Sequence, residues 1–153
     1  MTQRLDQFAV AADLFKPMME MEATLKDSGL EHSLIELIKL RVSQINGCAF
    51  CIHMHTHDAR KNGETEDRMQ LLPAWRESTL YTARERAALA WAEALTRIET
   101  TGAPDADYQA LAQQFTPHGQ VAVTLAITTI NAWNRIAIAF GTPHPAPQEA
   151  SAA

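Results

Sequence analysis

No stretch of this 153-residue chain sustains the alternation of apolar and polar residues that marks a half-buried strand, whereas apolar residues at helical spacing recur from end to end. That pattern predicts an all-α fold, a compact multi-helix domain. Leu34, Leu37, Ile38 and Val42 form one apolar stripe, in a helix expected from Ser33 to about Ile45. Asn46-Gly47 interrupts it, and Asn46 is placed to cap a further helix that runs to about Asn62, just before Gly63. Upstream, Leu5 to Phe15 reads as a short helix; Pro17 stands where a second can begin and Gly29 where it can end. Downstream, a short helix near Glu66 to Leu71 precedes a loop at Pro73, and Thr82-Ala83-Arg84-Glu85 has the form of a capping box for an Ala-rich helix reaching about Ile98. Asp105 to Phe115 follows, and Thr116-Pro117 opens a long final helix that Gly141 ends.

Residues 1–141 thus read as one all-helical domain, and 142–153, with Pro143, Pro145 and Pro147, as a flexible tail. The length suffices for a hydrophobic core without structural disulfides or metals. A net charge of −5 and the absence of any basic block argue against a nucleic-acid partner. The N-terminus lacks the layout of a secretory signal, so a cytoplasmic location is expected. Val121 to Phe140 is long enough to span a membrane but carries Asn131, Asn134 and Arg135, which favours a buried or subunit-facing helix and no membrane partner.

The chemistry concentrates in Asn46-Gly47-Cys48-Ala49-Phe50-Cys51-Ile52-His53-Met54-His55, which holds both cysteines of the chain. In a cytosolic protein a CxxC pair points to redox chemistry or metal binding rather than to a structural staple. On a helix running from Gly47, Cys48, Cys51 and His55 fall within about 60° of one another at roughly 100° per residue. Cys51 and His55 are neighbours at i,i+4, which makes Cys51 the thiol expected to lose its proton to the imidazole and Cys48 the resolving partner. A free thiol of pKa about 8.5 is only about 3% thiolate at pH 7, and a helix N-terminus contributes roughly 0.3–1 kcal/mol, so a proton-accepting neighbour is needed. A zinc reading would draw on His53, His55 or His57, but no second Cys pair completes a structural site, and His53 and His57 lie on another face.

Several other residues have simpler roles. Ser33-Leu34-Ile35-Glu36 matches a capping box that would tie Glu36 to its own helix start. Met18, Met19 and Met21 read as core or interface packing, Trp75-Arg76 and Trp133-Asn134-Arg135 as structural contacts, and Glu64 to Arg68 as a solvated face. Arg41 and Ser43 are placed either to orient the thiol site or, for Arg41, to form an exposed or intersubunit ion pair.

The stretch from Glu36 through the CxxC to His55 and on to Asp58-Ala59-Arg60-Lys61-Asn62-Gly63 resembles the alkylhydroperoxidase D-like branch of the carboxymuconolactone decarboxylase superfamily. Trp75-Arg76, Glu85-Arg86-Ala87-Ala88-Leu89-Ala90 and Trp133-Asn134-Arg135 extend the likeness to most of the chain between about Leu30 and Phe140. The resemblance implies an all-helical trimer or hexamer that works without cofactor or metal. It implies Cys51 as the peroxidatic thiol, Cys48 as the resolving one, and His55 with Glu36 as a proton relay. The substrate would be a hydroperoxide and the reductant an external dithiol protein or lipoyl-type donor. One departure stands out: where the best-known peroxidase pattern has a second histidine between the cysteines, this chain has Phe50. A dithiol-disulfide reductase or redox sensor is therefore the alternative, and a lactone-acid decarboxylase a weaker one, because CxxC has no evident part in that chemistry.

Overall fold

The computed structural model describes residues 2–145 as an all-α domain of eight helices, with no strand among the described residues. In chain order these are α1 (Gln7–Lys26), α2 (His32–Asn46), α3 (Ala49–Lys61), α4 (Glu66–Leu71), α5 (Ala83–Thr96), α6 (Ile98–Thr101), α7 (Asp105–Gln114) and α8 (Pro117–Phe140), with a single 3₁₀ turn at Leu72–Ala74. The sequence boundaries hold to within one or two residues from α4 onward. Thr82 and Glu85 form both arms of the capping box that opens α5, and Thr116 accepts the Gly119 N–H to start α8.

Helix α2 is the axis of the domain, packed against α3, α5 and α8. One side buries Leu34, Ile35, Ile38 and Val42 with Trp91 of α5, Leu111 of α7 and Val123, Ile127 and Ile130 of α8. The other buries Leu37 and Leu40 with Met69, Leu72, Trp75 and Leu89. At about 25 cal/mol per Å² of apolar surface removed from water, these two layers supply the main drive for folding. Helix α8, long and apolar enough by composition to cross a membrane, here turns its buried face into this core.

Three expectations are corrected. The break between the first two predicted helices is not at Pro17: α1 runs through it and kinks at Ala11 (φ −146°, ψ 49°). Pro17 and Asp13 are both exposed, so the carbonyl that lacks a proline N–H partner faces water. Helix α2 starts at His32 after Glu31, so Ser33 is not its cap. Asn46 ends α2 instead of capping α3. Thr142, the first residue of the expected tail, is bonded to the domain: its N–H donates to the Ala137 carbonyl at 2.9 Å and Gln7 reaches its hydroxyl at 3.2 Å. Residues 146–153, the rest of the expected flexible tail, lie outside the described residues.

Helix α1 lies across the domain, resting chiefly on α8. Phe8 and Phe15 meet in a tilted pair with ring centroids 4.8 Å apart, and Phe15 stacks on Trp133 of α8 at 5.9 Å. Glu22 fastens its far end, accepting from Trp133 Nε1 at 3.0 Å and pairing with the buried Lys39 of α2.

Candidate active site: a dithiol at a helix N-terminus

The turn between α2 and α3 sets the two sulfurs. Gly47 takes a left-handed conformation (φ 69°), open to glycine without the Cβ penalty, and Cys48 N–H bonds back to the Ser43 carbonyl at 3.1 Å. The chain therefore reverses within two residues, and Cys48 becomes the N-cap of α3 in extended conformation (φ −82°, ψ 96°). Its Sγ accepts the Cys51 backbone N–H at 3.4 Å. A thiol thus occupies the place usually taken by Ser, Thr or Asp, where a negative charge is favoured by the free N–H groups of the first turn. Both cysteines are free and buried.

The order of ionisation is the reverse of the one that i,i+4 spacing suggested. The Cys51 thiol donates to Cys48 and, with the backbone N–H groups of Cys51 and Phe50 and the side chain of Asn134, brings the Cys48 thiol down to about 7 despite burial. Cys51 moves strongly upward, because it is the donor in that bond and is itself buried. The pair shares one proton, and the first charge rests on Cys48. The helix end alone, worth less than a tenfold change in acidity, does not account for this. Hydrogen bonds to the charged sulfur do. Ultraviolet titration of the reduced protein near 240 nm should show one thiolate appearing near pH 7 and the second only at much higher pH. Cys51→Ala should move the first step upward by removing its main donor; an unchanged first step would contradict this account.

His55 lies one turn after Cys51 and is buried. Its Nδ1 is 2.8 Å from Glu36 Oε2. An ionised carboxylate can only accept, so Nδ1 carries the hydrogen and, in the neutral ring, Nε2 is the acceptor. Nε2 is buried and has no hydrogen-bond partner among the described residues. Glu36 therefore bonds across helices to His55 instead of closing a capping box, consistent with the start of α2 at His32.

Cys51, His55 and Glu36 open onto a common cavity of about 320 Å³ that α1 roofs, with Phe8 and Trp133 among its apolar walls. Cys48 does not line it. Among the described residues, Glu36, His55 and Asp58 bring ligand atoms within 4.8 Å of one another, the closest approach to a metal centre, and neither sulfur belongs to that cluster.

Asn134 is the site residue that sequence reasoning assigned only to structure. Fully buried, it donates to Ser43 Oγ at 3.0 Å and accepts from Asn46 at 2.9 Å, and its amide helps to lower the Cys48 pKa. The available signal was a polar amide in the most apolar helix of the chain, where a buried amide must find partners. Asn46 continues the network to Asn131, which reaches Thr96. Arg135 bonds Asn131 on its own helix instead of crossing to another.

Two charged groups also depart from expectation. Arg41 is buried and paired with Glu93 at 2.6 Å, away from any surface. Glu93 in addition accepts from Trp75 Nε1 at 3.0 Å and pairs with Arg76, so Trp75-Arg76 does have the expected structural role. Glu64 to Arg68 is not simply a solvated face: Arg68 bridges Glu64 at 2.7 Å and Glu85 at 2.6 Å. His53 and His57 are exposed, as expected.

A model of the carboxymuconolactone decarboxylase family matches residues 12–94, which include Glu36, both cysteines and His55. The chain belongs to the carboxymuconolactone decarboxylase family. A Bacillus subtilis relative named YdfG, itself described as uncharacterized, is 46% identical over 92% of this chain and 96% of its own length. The crystal structure of an Agrobacterium tumefaciens protein of unknown function, named as a candidate antioxidant defence protein AhpD, matches with TM-score 0.92 and 45% identity, covering 95% of this chain and 99% of that one. A peroxidase-related protein from Ralstonia eutropha with an alkylhydroperoxidase AhpD core shares the fold, with TM-score 0.79 and 22% identity over 91% of this chain and 74% of that one. The family and the helical architecture are those of the AhpD-like branch.

Proposed function

We propose that the protein is a dithiol peroxidase that reduces an apolar organic hydroperoxide with Cys51 and closes the Cys48–Cys51 disulfide. The observation that carries this reading is the shared cavity of Cys51, His55 and Glu36, with Cys48 poised on the Cys51 backbone. His55 Nε2, held as an acceptor by the Glu36 bond, takes the Cys51 proton as Cys51 Sγ attacks the terminal peroxide oxygen, so that no free second thiolate builds up beside the charged Cys48. The O–O bond breaks, and the leaving alkoxide receives the proton from His55. Cys51 becomes a sulfenic acid. Cys48, already charged near neutral pH, attacks that sulfur and expels hydroxide, which leaves as water after protonation. One hydroperoxide and one dithiol give an alcohol, water and a disulfide.

No cofactor or metal enters these steps. An external dithiol protein or lipoyl-type donor restores the thiols, and the setting is a cytoplasmic homo-oligomer, a trimer or hexamer, with no nucleic-acid or membrane partner. A second reading, a dithiol-disulfide reductase, is favoured by the greater acidity of Cys48, since an acidic N-cap thiol suits attack on disulfides. The apolar Phe50 between the sulfurs fits that reading as well.

Stopped-flow measurement of peroxide loss by the reduced protein separates the two. Peroxide-driven disulfide formation supports the first reading, and ready exchange with disulfides but no peroxide turnover supports the second. Glu36→Gln should slow the peroxide step by about a hundredfold or more, in line with loss of acid-base assistance, with little change in unfolding midpoint because Glu36 caps no helix. A full rate in that variant would remove Glu36 from the relay.

A further inference from the structure

The two sulfurs open onto different cavities. Cys51 faces the space roofed by α1, while Cys48 lines a second space of about 490 Å³ at the junction of the α3 N-terminus, the C-terminal end of α8 and residues 141–144. Phe50, Ala137 and Thr142 touch both and form the partition. The second cavity is walled by Ala49, Ile138 and Pro143, with His144 at its edge and no carboxylate or ammonium group in its lining. Gly141, at φ 66°, keeps the chain end close there: a Cβ on it would stand 2.8 Å from the Thr2 carbonyl oxygen.

We infer that this second cavity is the entry site for the reductant, an apolar dithiol on a slender chain, which attacks the disulfide at Cys48 while the oxidant reaches Cys51 from the other side. The inference rests on the dithiol reading above and adds the face and the sulfur through which electrons arrive. A volume of about 490 Å³ lies within the roughly 300–1,000 Å³ of small-ligand sites. Its apolar walls suit an alkyl chain that ends in two thiols.

The chemistry follows the same asymmetry. One ligand thiol, as it gives up its proton, attacks Cys48 Sγ; the S–S bond breaks, its electron pair goes to Cys51, and the proton released by the ligand thiol ends on Cys51. The second ligand thiolate attacks its own sulfur in the mixed disulfide and expels Cys48. Cys48 leaves as the stabilised thiolate of the N-cap, the better leaving group of the pair. The ligand ends as a cyclic disulfide, and two electrons have passed to the protein.

The test compares the two half-reactions in the full-length protein. Disulfide made with diamide is reduced by dihydrolipoamide, and reduced protein is oxidised by cumene hydroperoxide, with thiols counted by mass spectrometry after acid quench. Ile138→Trp fills the Cys48 cavity and should slow reduction at least tenfold more than oxidation; Ala49→Trp, at an exposed helix start, provides a second filling variant. Met54→Trp, on the Cys51 cavity, should slow oxidation more than reduction. Equal slowing of both half-reactions by Ile138→Trp and Ala49→Trp, or selective slowing of reduction by Met54→Trp, would overturn the two-sided assignment. If hydroperoxide forms no disulfide at all, the peroxidase reading fails. The diamide-made disulfide still decides the entry site, which stands if the Cys48-side variants slow reduction at least tenfold more than Met54→Trp and falls if they do not.

Discussion

Cys51→Ser is expected to abolish peroxide consumption, a loss of several orders of magnitude in rate, because it removes the sulfur that attacks from the cavity shared with His55 and Glu36. Cys48→Ser should behave differently. It leaves the attacking sulfur in place but no thiolate to resolve the product, so a single equivalent of peroxide is consumed and the protein gains one oxygen, roughly 16 Da, as the sulfenic acid. Stopped-flow consumption together with intact mass reads both variants. The outcome that sinks the assignment is specific: full consumption by Cys51→Ser, with none by Cys48→Ser, would make the more acidic N-cap thiol the nucleophile. That result would follow naturally if ionisation alone governed attack. The assignment to Cys51 rests instead on where the proton acceptor and the cavity are.

The largest effect on stability is expected at Glu93. Its carboxylate is buried, and although burial pushes its pKa upward, hydrogen bonds from Arg76, Arg41 and Trp75 outweigh this and hold it below the usual carboxylate value. Glu93→Leu would leave the Arg41 guanidinium buried without its partner and should cost about 3–5 kcal/mol. That is a large share of the ~5–15 kcal/mol that typically separates folded from unfolded domains. Urea unfolding would measure it, and Glu93→Leu combined with Arg41→Met should recover much of the loss by removing the stranded charge. A deficit below about 1 kcal/mol in the single variant would mean that Arg41 finds water or another acceptor.

Most of the helical frame was legible because each element carries its own local signals. Thr82 with Glu85, and Thr116 before Pro117, are caps whose geometry depends on nothing distant. Pro17 misled for the converse reason: its effect on a helix depends on whether the carbonyl it orphans can reach solvent, and on α1 it can. At the site, the residues were legible and their electrostatics were not. Spacing put His55 beside Cys51, but the acidity of Cys48 comes from the Gly47 turn and from Asn134, which is 86 positions farther along the chain. Glu36 likewise satisfied a local capping pattern until the fold brought α3 across it. Long-range partners decided each of these cases.

The roof over the Cys51 cavity is clasped at several points: Phe15 stacks on Trp133, Glu22 holds Lys39 and Trp133, Gln7 bonds Thr142, and Leu25 is buried. Lifting the whole of α1 would strand the buried Lys39 ammonium and wet Leu25, at a cost in stability. Guest admission to Cys51 is thus tied to the melting of this side of the molecule, and a change that loosens the clasp alters both together.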